Sequence, residues 1–146
     1  MKKLILLASA CLFLNTSCRK DDDDNESISD IVGTWKIEKW VVAYGNGSNE
    51  TDTPNACEAK SNVIFGSDNK LTGNDYFGNE GSCVLESTNG TYSYDANTKV
   101  LKLSAEGEDN YTKVEKLNSS ELVVIFSEDD FDDDGKMDKE YIYFKK

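Results

Sequence analysis

Short stretches in which apolar and polar residues alternate begin near residue 31 and recur to the end of the chain. No stretch has a convincing apolar period of 3.6 residues, and Pro54 is the only proline, so the pattern predicts strands throughout. The first stretch runs from Trp35 to Tyr44. The next ones come in pairs joined by short turn-rich segments, and each pair predicts a β-hairpin. The paired segments are 62–65 with 70–77, 91–94 with 99–105, and 111–117 with 121–126.

A last segment at 140–144 brings the number of predicted strands to eight, and 83–86 is a weaker candidate besides. Successive hairpins predict an antiparallel meander, and a meander of this size removes its open edges by closing into a barrel. The predicted fold class is therefore all-β, an eight-stranded antiparallel up-and-down barrel, with a β-sandwich as the alternative. One face of the first strand is predicted to hold apolar side chains from Trp35, Ile37, Val41 and Ala43.

Residues 1–17 have the pattern of a bacterial signal peptide. Lys2 and Lys3 give a positive start, and the apolar run Leu4–Leu14 is too short to span a membrane permanently. Ser17-Cys18 resembles the cleavage site of bacterial lipoproteins, in which the cysteine is acylated and becomes the new N-terminus. This resemblance implies that Cys18 is the lipid anchor. A plain secreted protein cut near Ser17 is the alternative.

Residues 18–30 are nearly all polar and include a run of acids, which predicts an extended tether between the lipid and the domain. The remaining residues, 31–146, suit one barrel domain. Arg19-Lys20-Asp21-Asp22 resembles the signal by which lipoproteins of Bacteroidetes reach the outer face of the outer membrane. The resemblance implies a lipid-anchored protein at the cell surface, and a periplasm-facing or secreted protein is the alternative.

The composition excludes several kinds of function. The formal net charge is −12 at pH 7, and nucleic acid is therefore not expected as a partner, because phosphate contacts need clustered Lys and Arg. The same charge repels anionic lipid, so membrane attachment depends on the acyl anchor. The chain has no histidine, which excludes Ser-His-Asp and Cys-His catalysis. No pair of carboxylates stands out by its spacing, so no enzyme is expected unless two acids face each other in a cleft.

Two cysteines remain if Cys11 leaves with the signal peptide and Cys18 carries lipid. In an exported protein this even remainder predicts one disulfide between Cys57 and Cys83, and two free thiols are the alternative. A bridge over this separation would contribute roughly 3–4 kcal/mol to stability on the loop-entropy model.

The segment Ile31-Val32-Gly33-Thr34-Trp35-Lys36 looks like the Gly-x-Trp signature of lipocalins. In that family the glycine lets the chain turn into the first strand and the tryptophan plugs the closed end of the barrel, which gives these roles to Gly33 and Trp35. Many lipocalins stack a late arginine on the tryptophan, whereas the last strand here offers only Lys145 and Lys146. Further segments are similar to those of the small lipocalin-like lipoproteins of Bacteroidetes, namely Asn55-Ala56-Cys57, Val63-Ile64-Phe65, Cys83, Gly90-Thr91-Tyr92 and Leu101-x-Leu103.

Residues 130–138 follow the pattern D-x-D-x-D-G-x-x-D, the first nine positions of a calcium loop of the EF-hand kind. Calcium prefers several hard oxygens, and alternate residues of a turning loop can supply them. Position twelve is Tyr141 in place of a bidentate glutamate, and strands flank the loop, so a full EF-hand is excluded. A solvated acidic loop is the alternative, and no cofactor is required. The predicted metal ligands are Asp130, Asp132, Asp134, Asp138 and the carbonyl of Lys136.

Two functions stay open at this point. The first is a lipid-anchored envelope protein that binds a small apolar or amphipathic ligand inside a lipocalin-like barrel. The second is a solidly packed barrel whose loops contact another envelope protein or a glycan. The polar segment Gly45–Pro54 and the acidic loop Glu128–Asp138 suit the second, since binding residues favour loops on rigid scaffolds. A hollow interior would favour the first function.

Overall fold

The computed structural model describes residues 28–146, with side chains from Asp30 onward. The predicted signal peptide, Cys18 and the tether as far as residue 27 lie outside the described residues. Within 28–146, no helix has the length and apolar character needed to cross a membrane. The described elements are a helical turn α1 (Ile28–Ile31), a 3-10 turn (Glu58–Lys60) and the strands β1 (Gly33–Ala43), β2 (Asn49–Asp52), β3 (Asn62–Phe65), β4 (Lys70–Phe77), β5 (Val84–Asp95), β6 (Val100–Ala105), β7 (Glu108–Leu117), β8 (Glu121–Asp129) and β9 (Asp138–Lys145).

Eight of these strands close into an antiparallel barrel. From β3 to β9 each strand pairs with the next one, and β1 closes the circle by pairing with β3 at one edge and β9 at the other. The short β2 pairs only with the last part of β1, Trp40–Ala43, and adds a flap beside β3. The predicted up-and-down barrel is confirmed, and the sandwich alternative is wrong.

The hairpin at 62–77 has the predicted strand boundaries, but two other predictions of elements are wrong. Segment 83–86 is not a separate strand, because it continues into β5 and the whole of Val84–Thr91 pairs with β4. Gly90 lies inside that ladder, where an added Cβ would collide with the carbonyl oxygen of Ser104. The stretch predicted as a polar loop contains β2, whose four residues are all exposed and therefore show no apolar alternation.

The prediction for the faces of β1 is also wrong, because a β-bulge lies between Ile37 and Lys39. Ile37 pairs with Phe144 on the inner face, but Trp40 rather than Val41 then pairs with Ile142, which packs against the core. One extra residue therefore reverses the alternation for the rest of the strand. Trp35, Ile37, Trp40 and Val42 point inward, whereas Val41 and Ala43 point outward.

Trp35 lies at one end of the barrel and is fully buried. Its indole N–H donates a hydrogen bond of 2.7 Å to the carbonyl oxygen of Ile31 in α1. The Lys146 ammonium lies 4.6 Å from the indole ring centre and donates to the carbonyl oxygen of Asp30 at 2.7 Å. This lysine makes the cation–π contact for which the family resemblance suggests an arginine. We call this end, with α1 and the C-terminus, the closed end.

Gly33 leads the chain from α1 into β1 with a φ of +140°, a conformation that is nearly restricted to glycine. A Cβ at this position would also lie 2.9 Å from Cε of Lys146. The first strand therefore needs glycine here for its backbone conformation, and any side chain at this position would displace the lysine that covers Trp35.

A disulfide joins Cys57 and Cys83, as predicted, with a Cα–Cα distance of 5.4 Å. Cys57 is buried just before the 3-10 turn, and Cys83 precedes β5 at the tip of the β4–β5 hairpin. The bridge therefore fastens the long connection between β2 and β3 to a hairpin tip at the opposite end from Trp35.

Candidate functional site

An apolar cavity of about 470 Å³ lies inside the barrel. Strand alternation places every second side chain of β6, β8 and β9 on its wall. Phe65 and Tyr92 pack edge to face at 4.8 Å between ring centres, and the Tyr92 hydroxyl donates to the carbonyl oxygen of Gly66. Burial raises the pKa of that tyrosine. These rings belong to the packed core near the closed end, so the cavity opens at the other end. Its apolar wall includes Val63, Leu101, Leu103, Val124, Ile142 and Phe144.

Two polar side chains of β7, Asn110 and Thr112, line this cavity. The Thr112 hydroxyl donates a hydrogen bond of 2.6 Å to the carbonyl oxygen of Ile125. Asn110 pairs with Leu103 in the ladder, and its side-chain amide makes no hydrogen bond within residues 28–146. The Asn110 amide is therefore free to donate to a ligand and to accept from it.

Between the apolar wall and the open end of the barrel, the inner face carries carboxylates. On β9 the inner face passes from Ile142 to Glu140, which accepts a hydrogen bond from the Ser127 hydroxyl. On the other side, Asp75 and Glu86 are direct partners across β4 and β5. Glu140 and Trp40 line a cavity of about 450 Å³. Asp75 and Glu86 line a third cavity of about 310 Å³, which shares Val63 and Phe144 with the apolar cavity. We call Asp75, Glu86 and Glu140 the acidic rim.

The predicted calcium loop lies at the same end, and three of its carboxylates converge. One oxygen each from Asp130, Asp132 and Asp138 lies within 4.8 Å of the others. Asp138 is fully buried and accepts hydrogen bonds from the backbone N–H groups of Gly45 (2.7 Å) and Phe131 (2.8 Å). These bonds join the loop to the connection after β1.

Asp134 lies outside this group of carboxylates, and the Lys136 carbonyl stays a predicted ligand. The Asp134 carboxylate accepts the N–H of Lys136 at 2.8 Å and lies 3.4 Å from the same residue's ammonium. The pKa of Asp132 is raised, chiefly by desolvation. A hydrogen bond from the N–H of Asp134 lowers this pKa, and the charges of the neighbouring aspartates raise it. The loop therefore concentrates negative charge at three carboxylates.

Calcium binding by this loop stays a prediction, which thermal unfolding can test. Without the bidentate glutamate we expect a Kd of about 10⁻⁴–10⁻³ M. Because a ligand that binds only the folded state stabilises it, about 5 mM CaCl2 should raise the Tm by about 3–14 °C over this range of Kd.

Asp132→Asn should abolish this rise, and in EDTA it should raise the Tm slightly because it relieves repulsion among the acids. Asp133→Asn is the matched control, since Asp133 is not in the converging group and its φ of 56° suits asparagine. An equal rise in wild type and Asp132→Asn, or no rise in wild type, would contradict the prediction.

Sequence reasoning missed the residues at the open end. Trp40, Val42 and Glu140 share a cavity wall only because of the bulge in β1, and no residue type in 37–39 signals that bulge. Asn110 and Thr112 could have been found, because they continue the alternation that leads inward from the buried Val114.

The fold and the cavity together define this chain as a lipocalin-type barrel, closed at one end and hollow above its core. The family model described as "Lipocalin-like domain" matches residues 31–124, more than half of the chain, and the chain belongs to that family.

Solved structures of similar fold include a lipocalin-like protein from Bacteroides uniformis, with a TM-score of 0.52 and 15% identity over 80% of this chain and 98% of that one. The bovine lipocalin allergen Bos d 2 has a TM-score of 0.43 and 17% identity, covering 81% of this chain and 73% of the allergen. Bovine odorant-binding protein in complex with undecanal has a TM-score of 0.42 and 14% identity, covering 86% and 77%. At identities this low, a structural match shows similarity of fold and says nothing about the ligand. No curated protein matches the sequence significantly.

Proposed function

We propose that this protein is a lipid-anchored envelope protein that binds a small apolar or amphipathic molecule inside its barrel. The observation that carries the proposal is the apolar cavity of about 470 Å³, a volume within the range of about 300–1,000 Å³ that is typical of small-molecule sites. Anchoring through Cys18 and a location on the outer membrane, at the cell surface, rest on the sequence pattern of residues 1–30.

Binding of a fluorescent dye tests the proposed site. The uncharged dye N-phenyl-1-naphthylamine should gain fluorescence saturably with the wild-type protein. Leu103→Trp, which fills the cavity, should weaken dye binding by at least about tenfold, and overpacking should cost about 1–3 kcal/mol of stability.

Ile64→Trp is the matched control, because Ile64 is on the same barrel but pairs with Thr34 and Thr72 on the outer face. This control should bind the dye as wild type does. The absence of saturable binding to the wild type, or equal binding by both variants, would contradict the proposal. Thermal unfolding of both variants checks that each is folded.

A second candidate is an interaction protein that acts through loops. The hydrogen bond from the Gly45 N–H to Asp138 and a longer one from the Asn46 amide to Asp132 at 3.4 Å join two polar segments into one surface at the open end. This surface could contact an envelope protein or a glycan. A wild-type protein that binds no apolar dye would favour this function.

The proposal assigns no catalytic role, in keeping with the family. The facing acids Asp75 and Glu86 meet the geometric condition for reopening a carboxylate mechanism, but both side chains are exposed. The general acid of such a mechanism sits in an apolar pocket.

A further inference from the structure

We infer that the barrel cavity selects its ligand by charge, accepting amphiphiles with an uncharged hydrogen-bonding head group and rejecting their anionic analogues. The inference rests on the proposed function and names the ligand class of the same site. Three observations carry it: the residues that line the cavity, the acidic rim above it, and the outward orientation of the lysines on its walls.

The edge of the cavity offers an uncharged head group a partner, because Asn110 lines the cavity and is itself exposed. Its wall is apolar except at Asn110, Thr112 and the exposed Tyr111, and the Thr112 hydroxyl already donates to Ile125. The Asn110 amide, which can donate and accept, matches a hydroxyl, carbonyl or amide on the ligand. A carboxylate would be matched by the donor half alone, and any part of it that entered the apolar cavity would lose hydration without a compensating charge.

Among residues 28–146, no basic residue lines the apolar cavity or the two cavities that contain the acidic rim. Lys113 lines a further cavity of about 260 Å³, which adjoins the apolar one at Tyr111, Thr112 and Phe126 and also contains Glu128. On the inner face of β9, Glu140 is the next residue after Ile142 toward the open end. Glu86 pairs directly with Asp75 across β4 and β5. An anion that enters the barrel therefore passes carboxylates and then reaches a wall without a compensating charge. Both effects raise its free energy in the site.

The lysines of the cavity strands lie on the outer surface. Lys102 is between the inward-facing Leu101 and Leu103, and its ammonium lies 2.8 Å from Asp109. Lys39 directly follows the bulge of β1, and its ammonium lies 4.6 Å from the ring centre of Tyr143. These ammonium groups are held by outer-face partners and are not positioned to neutralise a carboxylate inside the barrel.

The test compares 1-decanol with decanoate in displacing N-phenyl-1-naphthylamine from the wild-type protein at pH 8 and low salt. The two competitors have the same chain length and differ in the charge of the head group. Decanol should compete at least about tenfold better than decanoate, because only the anion meets like charges and an uncompensated apolar wall. Equal competition, or better competition by decanoate, would overturn the inference while leaving the proposed function intact. A wild-type protein that binds neither the dye nor decanol would instead contradict the proposed function.

Neutralising the rim tests its part in the selection. Glu86→Gln with Glu140→Gln should reduce the decanol-to-decanoate affinity ratio by at least about threefold, because the repulsion falls while the glutamine oxygen can still accept from Ser127. Glu80→Gln with Glu115→Gln removes the same charge from exposed positions outside the three cavities and should leave the ratio unchanged. Equal ratios in the two double variants would overturn the assignment of selectivity to the rim.

Discussion

Replacing Trp35 with alanine should lower the free energy of unfolding by about 3–5 kcal/mol, the range for large aromatic residues removed from a core. Trp35 is fully buried, and its ring lies between the core and the Lys146 ammonium. Its removal would leave a cavity at the closed end and an unpaired carbonyl on Ile31. Urea denaturation followed by circular dichroism measures the loss.

The matched control for this variant is Trp40→Ala. Trp40 is half-buried at the open end, and its indole makes no hydrogen bond within residues 28–146, so its loss should cost clearly less. Trp35→Phe serves if the alanine variant does not fold, and it should cost about 1–3 kcal/mol through the unpaired carbonyl. A larger cost at Trp40 than at Trp35 would refute the role of Trp35 in closing the barrel.

Removing the disulfide should cost nearly as much. The bridge spans 26 positions, and the loop-entropy model assigns it about 3.5 kcal/mol through the freedom that the unfolded chain regains. Cys57→Ala with Cys83→Ala should therefore shift the urea midpoint downward by the equivalent amount. Alanine is preferred to serine because Cys57 is fully buried, and a hydroxyl there would need a partner.

A reducing agent provides the control for the double variant. Dithiothreitol should destabilise the wild-type protein to a similar extent and should leave the alanine variant unchanged. Thiol titration shows when reduction is complete. If the fully reduced wild-type protein is as stable as the oxidised one, the loop closed by Cys57 and Cys83 does not constrain the unfolded chain, and the prediction is wrong.

The fold could be predicted from the sequence where local signals agree with the tertiary pairing. Segments 62–65 and 70–77 are separated by Gly66-Ser67-Asp68-Asn69, and the structure ends one strand and begins the next at these residues. The continuous β5 could not be predicted, because Asn89 and Gly90 favour turns and it is pairing with the neighbouring strands β4 and β6 that keeps them extended. The all-polar β2 has no apolar alternation to detect.

The site was predicted only in part, for a different physical reason. Asp130, Asp132 and Asp138 are close in sequence, so a local motif could bring them together. The cavity depends on how side chains from several distant strands fill a shared interior, and the sequence does not contain that volume. The bulge after Ile37 adds to the difficulty, since one extra residue decides whether Trp40 faces the interior or the solvent.

The position of α1 has a consequence for the anchored protein. The described chain enters the barrel at the closed end, where Ile31 contacts the indole of Trp35, whereas the cavity and the acidic rim lie at the other end. If Cys18 carries lipid as proposed, the barrel is attached to the bilayer by its base. The mouth is then at the end of the barrel opposite the point of attachment, so the anchor leaves the entrance to the proposed binding site unobstructed.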